Sequence, residues 1–227
     1  MPRPYVVLSC AVSLDGALDD TSDQRLVLSN DEDLDRVDGV RAGCDAILVG
    51  AGTVRADNPR LLVRSARRRA DRVADGLPPN PAKVVLTGGG DLDPSSAFFT
   101  VGEALRLVYV AKPAVDTARR RLDEVATVVD AGDPLDLGGV LDDLARRGMG
   151  RLLVEGGAHV HGQFLSADLA DELHLVVAPF VVGDAAAPRF VPPGTYPHGP
   201  RRPLRLAEAS AMGDLVLLRY LREPAGM

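Results

Sequence analysis

Short runs of apolar, β-branched residues recur along this chain, and each leads into a stretch with helical spacing or into a turn. That alternation is the rhythm of strands and helices around a buried sheet. A strand covered on both faces shows no polar side and reads as a near-continuous hydrophobic run. Tyr5–Ala11 (YVVLSCA), Ala46–Gly50 (AILVG), Lys83–Thr87 (KVVLT), Leu105–Ala111 (LRLVYVA), Ala126–Asp130 (ATVVD) and Leu152–Glu155 (LLVE) are the predicted central strands. Between them, Asp31–Ala42, Ala114–Val125 and Leu137–Arg147 carry helical spacing, the first introduced by Ser29-Asn30-Asp31-Glu32 in the manner of a capping box. The last third differs: Asp171–Val182 (DELHLVVAPFVV), Leu204–Ala209 and Asp214–Leu221 (DLVLLRYL) read as strands, with only a turn at Ala211–Gly213 between the final two. An α/β protein follows, its sheet mostly parallel and finished by a C-terminal antiparallel hairpin.

The 227 residues suffice for one large domain, and neither an internal repeat nor a linker divides the chain, so a single domain is expected. The polar stretch Ser65–Pro81 reads as a loop or short exposed helix, and its Arg67-Arg68-Arg69 run as a solvated face or a phosphate holder. A net charge of -6, no Trp and only 4% aromatic residues argue against nucleic acid, which calls for positive charge and stacking platforms. Cys10 and Cys44 lie in apolar stretches and read as buried thiols of a reducing cytosol. The apolar run near the start spans about seven residues, too short for a signal core or a membrane span, so a cytoplasmic protein is expected.

Chemistry concentrates where buried strands end. In AILVGAGTVRADNP (Ala46–Pro59) two glycines and Thr53 follow a strand at its carboxyl end, the place where open α/β sheets bind ligands. Gly50-Ala51-Gly52 lacks the third glycine of a dinucleotide fingerprint, so a Rossmann site is rejected. Amides at a helix start could still hold an anion, and a plain turn with Thr53 as cap explains the pattern equally well. In LLVEGGAHVHGQ, Glu155 closes a buried strand and therefore needs a polar partner, while Gly156 and Gly157 let backbone approach a pyrophosphate. His159 and His161 point to different sides of a helix, which disfavours a shared metal. The Thr87-Gly88-Gly89-Gly90 loop is either a turn or a further wall of the same site. Leu34, Val37 and Arg41 share a helical stripe expected to face the sheet, and Arg64 follows an apolar run at a crevice edge; two arginines suit a phosphorylated substrate.

Ala11-Val12-Ser13-Leu14-Asp15-Gly16, the run RAGCDAILVGAGTVRADNPRL from Arg41 to Leu61, and VEGG from Val154 to Gly157, in that order, resemble the riboflavin-pathway pyrimidine reductases. The resemblance implies a three-layer, dihydrofolate-reductase-like fold and reduction of 5-amino-6-(5-phosphoribosylamino)uracil by NADPH, with hydride delivered to the ribose C1′. It implies that Ala11, Thr53, Asp57, Thr87, Gly88, Gly156, Gly157, Ala158 and His159 meet the cofactor. Arg41, Leu61, Arg64 and Glu155 would meet the substrate, Asp57 and Glu155 being the candidate catalytic carboxylates. It also implies a homodimer, as do the apolar C-terminal strands. The H-x-E and P-C-x-x-C signature of the zinc deaminase fused to many such reductases is absent from the sequence. A same-fold reductase of another heterocycle and a catalytically silent nucleotide-binding protein are the alternatives.

Overall fold

The structure is a computed structural model that describes residues 2–22, 24 and 26–223. The apolar runs fold as strands. In chain order the elements are β1 (Tyr5–Val12), α1 (Asp31–Ala42), β2 (Ala46–Gly50), α2 (Ala51–Asp57), α3 (Ala66–Ala74), β3 (Ala82–Thr87), α4 (Ala97–Thr100) and β4 (Arg106–Val110). They continue with α5 (Val115–Leu122), β5 (Thr127–Asp130), α6 (Leu137–Arg146), β6 (Arg151–Gly156), α7 (Ala158–Ser166), β7 (Glu172–Val177), β8 (Arg205–Met212) and β9 (Leu215–Leu221). The chain divides into two compact units. One comprises the residues up to Tyr5 with Asp38–Leu153, the other Val6–Val37 with the chain from Val154 onward.

In the first unit β2, β3, β4 and β5 pair in parallel, Val85 opposite Val49 and Val108, and Val129 opposite Tyr109. Every residue of β2 and β3 is buried, which is why these strands read as unbroken apolar runs. Tyr109 lies fully buried in β4 and its hydroxyl donates to Asp143 Oδ2 at 2.7 Å, so the ring joins the core without stranding a polar atom. The arginine run is not a uniformly solvated face. Only Arg67 stands in solvent; Arg68 pairs with Asp38 at 3.0 Å, and Arg69 donates to the carbonyls of Val63 and Arg64.

In the second unit β1 and β7 pair in parallel, and β7, β9 and β8 follow antiparallel, with a bulge between Leu206 and Glu208. Val176, Ala178, Met212, Leu215 and Leu217 form an apolar cluster against which Ala11, Leu28 and Phe180 pack. Three sequence expectations are corrected here. The run Asp171–Val182 stays a strand only through Val177; Pro179 has no N–H for a ladder, and the amides of Val182 and Gly183 are taken by Asp15. The cap of α1 lies one residue later than Ser29, because Asn30 Oδ1 accepts the Asp33 amide at 2.9 Å while Asn30 Nδ2 donates to Met212 O. The inward stripe of α1 is not Leu34-Val37-Arg41: Leu34 is exposed, whereas Asp33 and Asp38 are buried because each has cationic or amide partners.

Among the described residues no helix is long and apolar enough to cross a membrane.

Candidate active site

The first unit carries its candidate residues where β2 and β3 end. Gly50 is the N-cap of α2 and makes no side-chain cap bond; Thr53 is the third residue of the helix, half-buried, and does not cap it. A Cβ at Gly52 would meet nothing within 4 Å, so backbone is open to a ligand there. Asp57 ends the helix in solvent, and Asn58 takes the left-handed cap conformation, its Oδ1 accepting the Ala97 amide at 2.6 Å. Leu61 is buried with φ of 47°, a conformation costly for a branched side chain. Strain of that kind concentrates at binding sites, and periodicity gives no sign of it.

Arg41 is half-buried at the end of α1 and its Nη1 donates to Leu62 O at 3.1 Å. Arg64 is exposed, but its backbone is clamped: its amide donates to Asp38 Oδ1 and its carbonyl accepts Arg69 Nη1 at 2.7 Å. Asp38 is therefore a support for the Arg64 position that sequence reading missed. Burial pushes its carboxyl up, and the amides of Arg64 and Ser65 with the Arg68 guanidinium outweigh that, holding it below the usual range. Thr87 is buried and its Oγ1 accepts the Gly90 amide at 3.0 Å, which shapes a turn. Gly88 and Gly89 on that turn are exposed, with open space at each Cβ position.

The second unit supplies the other group. Ala11 is half-buried on β1 in register with Val176. Glu155 is half-buried near the end of β6, and Gly156 follows at φ of 126°, a conformation that demands glycine. Gly157 is the extended N-cap of α7 with no side-chain cap bond, so no capping side chain takes the first-turn amides. His159 is exposed. His161, two residues on, is fully buried, packs edge-on to the Phe190 ring at 5.5 Å, and is held neutral by burial with a pKa lowered to about 4.

In the first unit Gly52, Gly88 and Gly89 leave backbone open, and in the second the start of α7 has no side-chain cap; each feature by itself suits close approach by an anionic group. Sequence reading missed one further constellation. Asp15 accepts from Ser13 Oγ at 2.6 Å and from the amides of Val182 and Gly183 at 3.0 and 2.9 Å. The Ser-Leu-Asp-Gly turn is its only local signal.

A family model described as the RibD C-terminal domain matches residues 4–218. The chain is 41% identical over 187 residues to the 2,5-diamino-6-ribosylamino-4(3H)-pyrimidinone 5′-phosphate reductase of Archaeoglobus fulgidus, covering 82% of this chain and 85% of the relative. Among solved structures it is similar to a pyrimidine reductase-like protein from Corynebacterium diphtheriae, with a TM-score of 0.83, 26% identity, and coverage of 96% of this chain and 91% of the other. Fold alone is shared with dihydrofolate reductase from Enterococcus faecalis, at a TM-score of 0.53 and 12% identity over 97% of each chain. The chain belongs to the RibD C-terminal domain family and has the dihydrofolate-reductase-like fold that its motifs implied.

Proposed function

We propose that this chain is a cytoplasmic, NADPH-dependent reductase of a 5′-phosphorylated ribosylaminopyrimidine in riboflavin biosynthesis, its matched span acting as one reductase domain. The observation that carries this reading is the 41% identity, over most of both chains, to a relative named for that reaction. The relative's named substrate is the 2,5-diaminopyrimidinone, and the form expected from the motifs is 5-amino-6-(5-phosphoribosylamino)uracil. The two differ at ring position 2, remote from the ribose carbon to be reduced.

When bound, the reduced nicotinamide supplies a hydride to C1′ of the ring-opened ribosylamino group. The protein's part is to hold and orient. The amides that open α7 and the glycine edges at Gly52, Gly88 and Gly89 bind phosphates of the cofactor, with Ala11, Thr53, Asp57, Thr87 and His159 along it. Glu155 is the carboxylate that orients amino groups of the pyrimidine. Arg41, Leu61 and Arg64 receive the substrate, Arg64 as the exposed cation on a clamped backbone that suits a phosphate.

The test is NADPH oxidation with each of the two pyrimidine phosphates and their dephosphorylated analogues. Arg64→Ala is expected to raise KM for the phosphorylated substrate by about tenfold to a hundredfold, the loss of one charge-assisted contact, and to leave NADPH affinity unchanged. Turnover with neither pyrimidine would overturn the reading. Equal losses on phosphorylated and dephosphorylated substrates would remove Arg64 as the phosphate anchor.

We also propose a homodimer. One face of β9 and β8 presents Val216, Leu218, Tyr220 and Leu206 in register, with Val216 and Leu206 exposed, while the other face is spent on the Met212–Leu217 cluster. Light scattering at micromolar concentration is expected to give twice the chain mass, and Leu218→Glu to halve it.

A further inference from the structure

We propose that Asp15 is a positioning residue: it latches the segment Ala178–Phe190, and through the Phe190 ring it fixes His161 behind the Gly156–Gly157 turn. The inference rests on the reading above, in which the amides that follow that turn bind phosphates of the cofactor.

The latch begins where the parallel ladder of β1 and β7 runs out. After Val12 and Val177 the two chains continue side by side, the Leu14 amide donating to Phe180 O at 2.8 Å. Ser13 and Gly16 close a tight turn, Gly16 at φ of 83°, and that turn presents the Asp15 carboxylate to the facing segment. One oxygen takes the Val182 amide and the Ser13 hydroxyl, and the other takes the Gly183 amide. Those three donors hold the carboxyl well below the ordinary aspartate range. The same turn grips the segment twice more. Arg189 Nη1 donates to Asp15 O, and the Phe190 amide donates to Gly16 O at 3.2 Å.

The far end of the segment rests on α7. Phe190 lies against His161, and a Cβ placed on Gly162 would come within 2.9 Å of Pro192. Neither ring nitrogen of His161 has a hydrogen-bond partner among the described residues, so packing alone sets the ring's position. Its Nε2 lies 3.5 Å from where a Cβ on Gly156 would stand. A chain of contacts therefore runs from Asp15 through Phe190 and His161 to the backbone proposed to receive the pyrophosphate. Releasing Asp15 is expected to loosen that backbone although the two lie at opposite ends of the segment.

The test has two parts, both on the full chain. In the first, amide hydrogen exchange is followed without cofactor in Asp15→Asn and Phe190→Ala. Asparagine keeps one acceptor but turns its NH2 toward the amide of Gly183 or Val182. Exchange at 182–183 and 189–190 is expected to rise about tenfold or more in Asp15→Asn, and exchange at 161–162, where the α7 amides are first hydrogen-bonded, to rise in both variants. Unchanged exchange at 161–162 in Asp15→Asn would overturn the coupling, whatever the protein's activity. In the second, NADPH affinity is measured by nicotinamide fluorescence. Each single variant is expected to weaken binding by about fivefold to twentyfold, and the double variant no more than the worse single one. Fully additive losses would make the two residues independent. His161→Phe, which keeps the packing, is expected to bind NADPH within about twofold of wild type; a tenfold loss would show the ring nitrogens acting themselves and overturn the packing route. Wild-type protein that binds no NADPH would overturn the function proposed above and the role assigned to Asp15 with it, while the exchange data alone would still decide whether the latch exists.

Discussion

The two units bury charge in opposite ways. In the first, the most deeply placed cations meet backbone carbonyls: Lys83 donates to Phe98 O and Val101 O at 3.0 and 2.6 Å, and Arg72 to the carbonyls of Pro78, Ala42 and Cys44. In the second, cations meet carboxylates. Asp33, Arg36, His174, Glu172, Arg219 and Glu208 form one chain of contacts from α1 across β7 and β9 to β8. Because arginine only donates, His174 Nδ1 accepts from Arg36 and Nε2–H donates to Glu172, which fixes a neutral tautomer in the middle of the chain. Carbonyls offer direction without full charge, so a lysine held by them can give up its proton cheaply. A cation held by a carboxylate cannot, and removing the carboxylate strands its neighbours.

The sharpest break of this contrast is Glu172→Ala. It leaves His174 without its acceptor and Arg219 with only the half-exposed Glu208, so a loss of about 3 to 5 kcal/mol is expected in urea unfolding. Glu208→Ala, at the exposed end, should cost less than about 1 kcal/mol. Similar losses for the two would mean the chain of charges is a set of surface pairs.

His161 tests burial without a hydrogen-bond partner among the described residues. Its folded pKa of about 4 lies below the unfolded 6.5, so between those values the unfolded chain binds the extra proton and stability falls as pH falls. The full effect is about 3 kcal/mol. His161→Phe is expected to flatten the limb between pH 6.5 and 4, read by unfolding at several pH values, and an unaltered limb would show that the ring takes up its proton in the folded state.

Most of the first unit was legible because its strands are buried on both faces: AILVG and KVVLT have no other use, and β2 begins and ends where its apolar run put it. The second unit was harder to read, because its segments face charge or stand away from the ladder. Glu172 and His174 interrupt an apolar run without breaking the strand, since each finds a partner from another element. Pro179 and the pull of Asp15 end that strand early; the proline stands in the run itself, whereas the Asp15 contacts are far apart in sequence. The site divides in the same way. Glycines and the carboxylate at strand ends could be picked out from residue type and place, whereas Asp38 under Arg64, the backbone of Leu61 and the buried face of His161 depend on tertiary neighbours.

The smallest effect is the most specific to the first unit. Lys83 is fully buried in β3, and desolvation, with the nearby Arg106 charge, lowers its pKa from 10.5 to about 8. Between those values the unfolded chain holds a proton that the folded chain has lost, so this group makes stability rise with pH across the window. Burial has the opposite consequence for Cys10 and Tyr109, whose pKa values are raised from 9.0 and 10.0. They keep protons in the fold that the unfolded chain gives up, and so lower stability above about pH 9. Among the shifted groups of the described residues the lysine therefore dominates near pH 8, where its own slope approaches about 1 kcal/mol per pH unit, before Cys10 begins to offset it toward pH 9. Lys83→Met fills the same volume without a titrating group and is expected to remove that rise, while its own fixed cost, from leaving the carbonyls of Phe98 and Val101 unpaired, appears equally at every pH. Arg219, held by Glu172 and pushed further up, has no proton to give in this window, so replacing it should shift the curve without changing its slope. A slope that survives in Lys83→Met would mean that the carbonyls keep the lysine charged, and the distinction between carbonyl-held and carboxylate-held cations would fall with it.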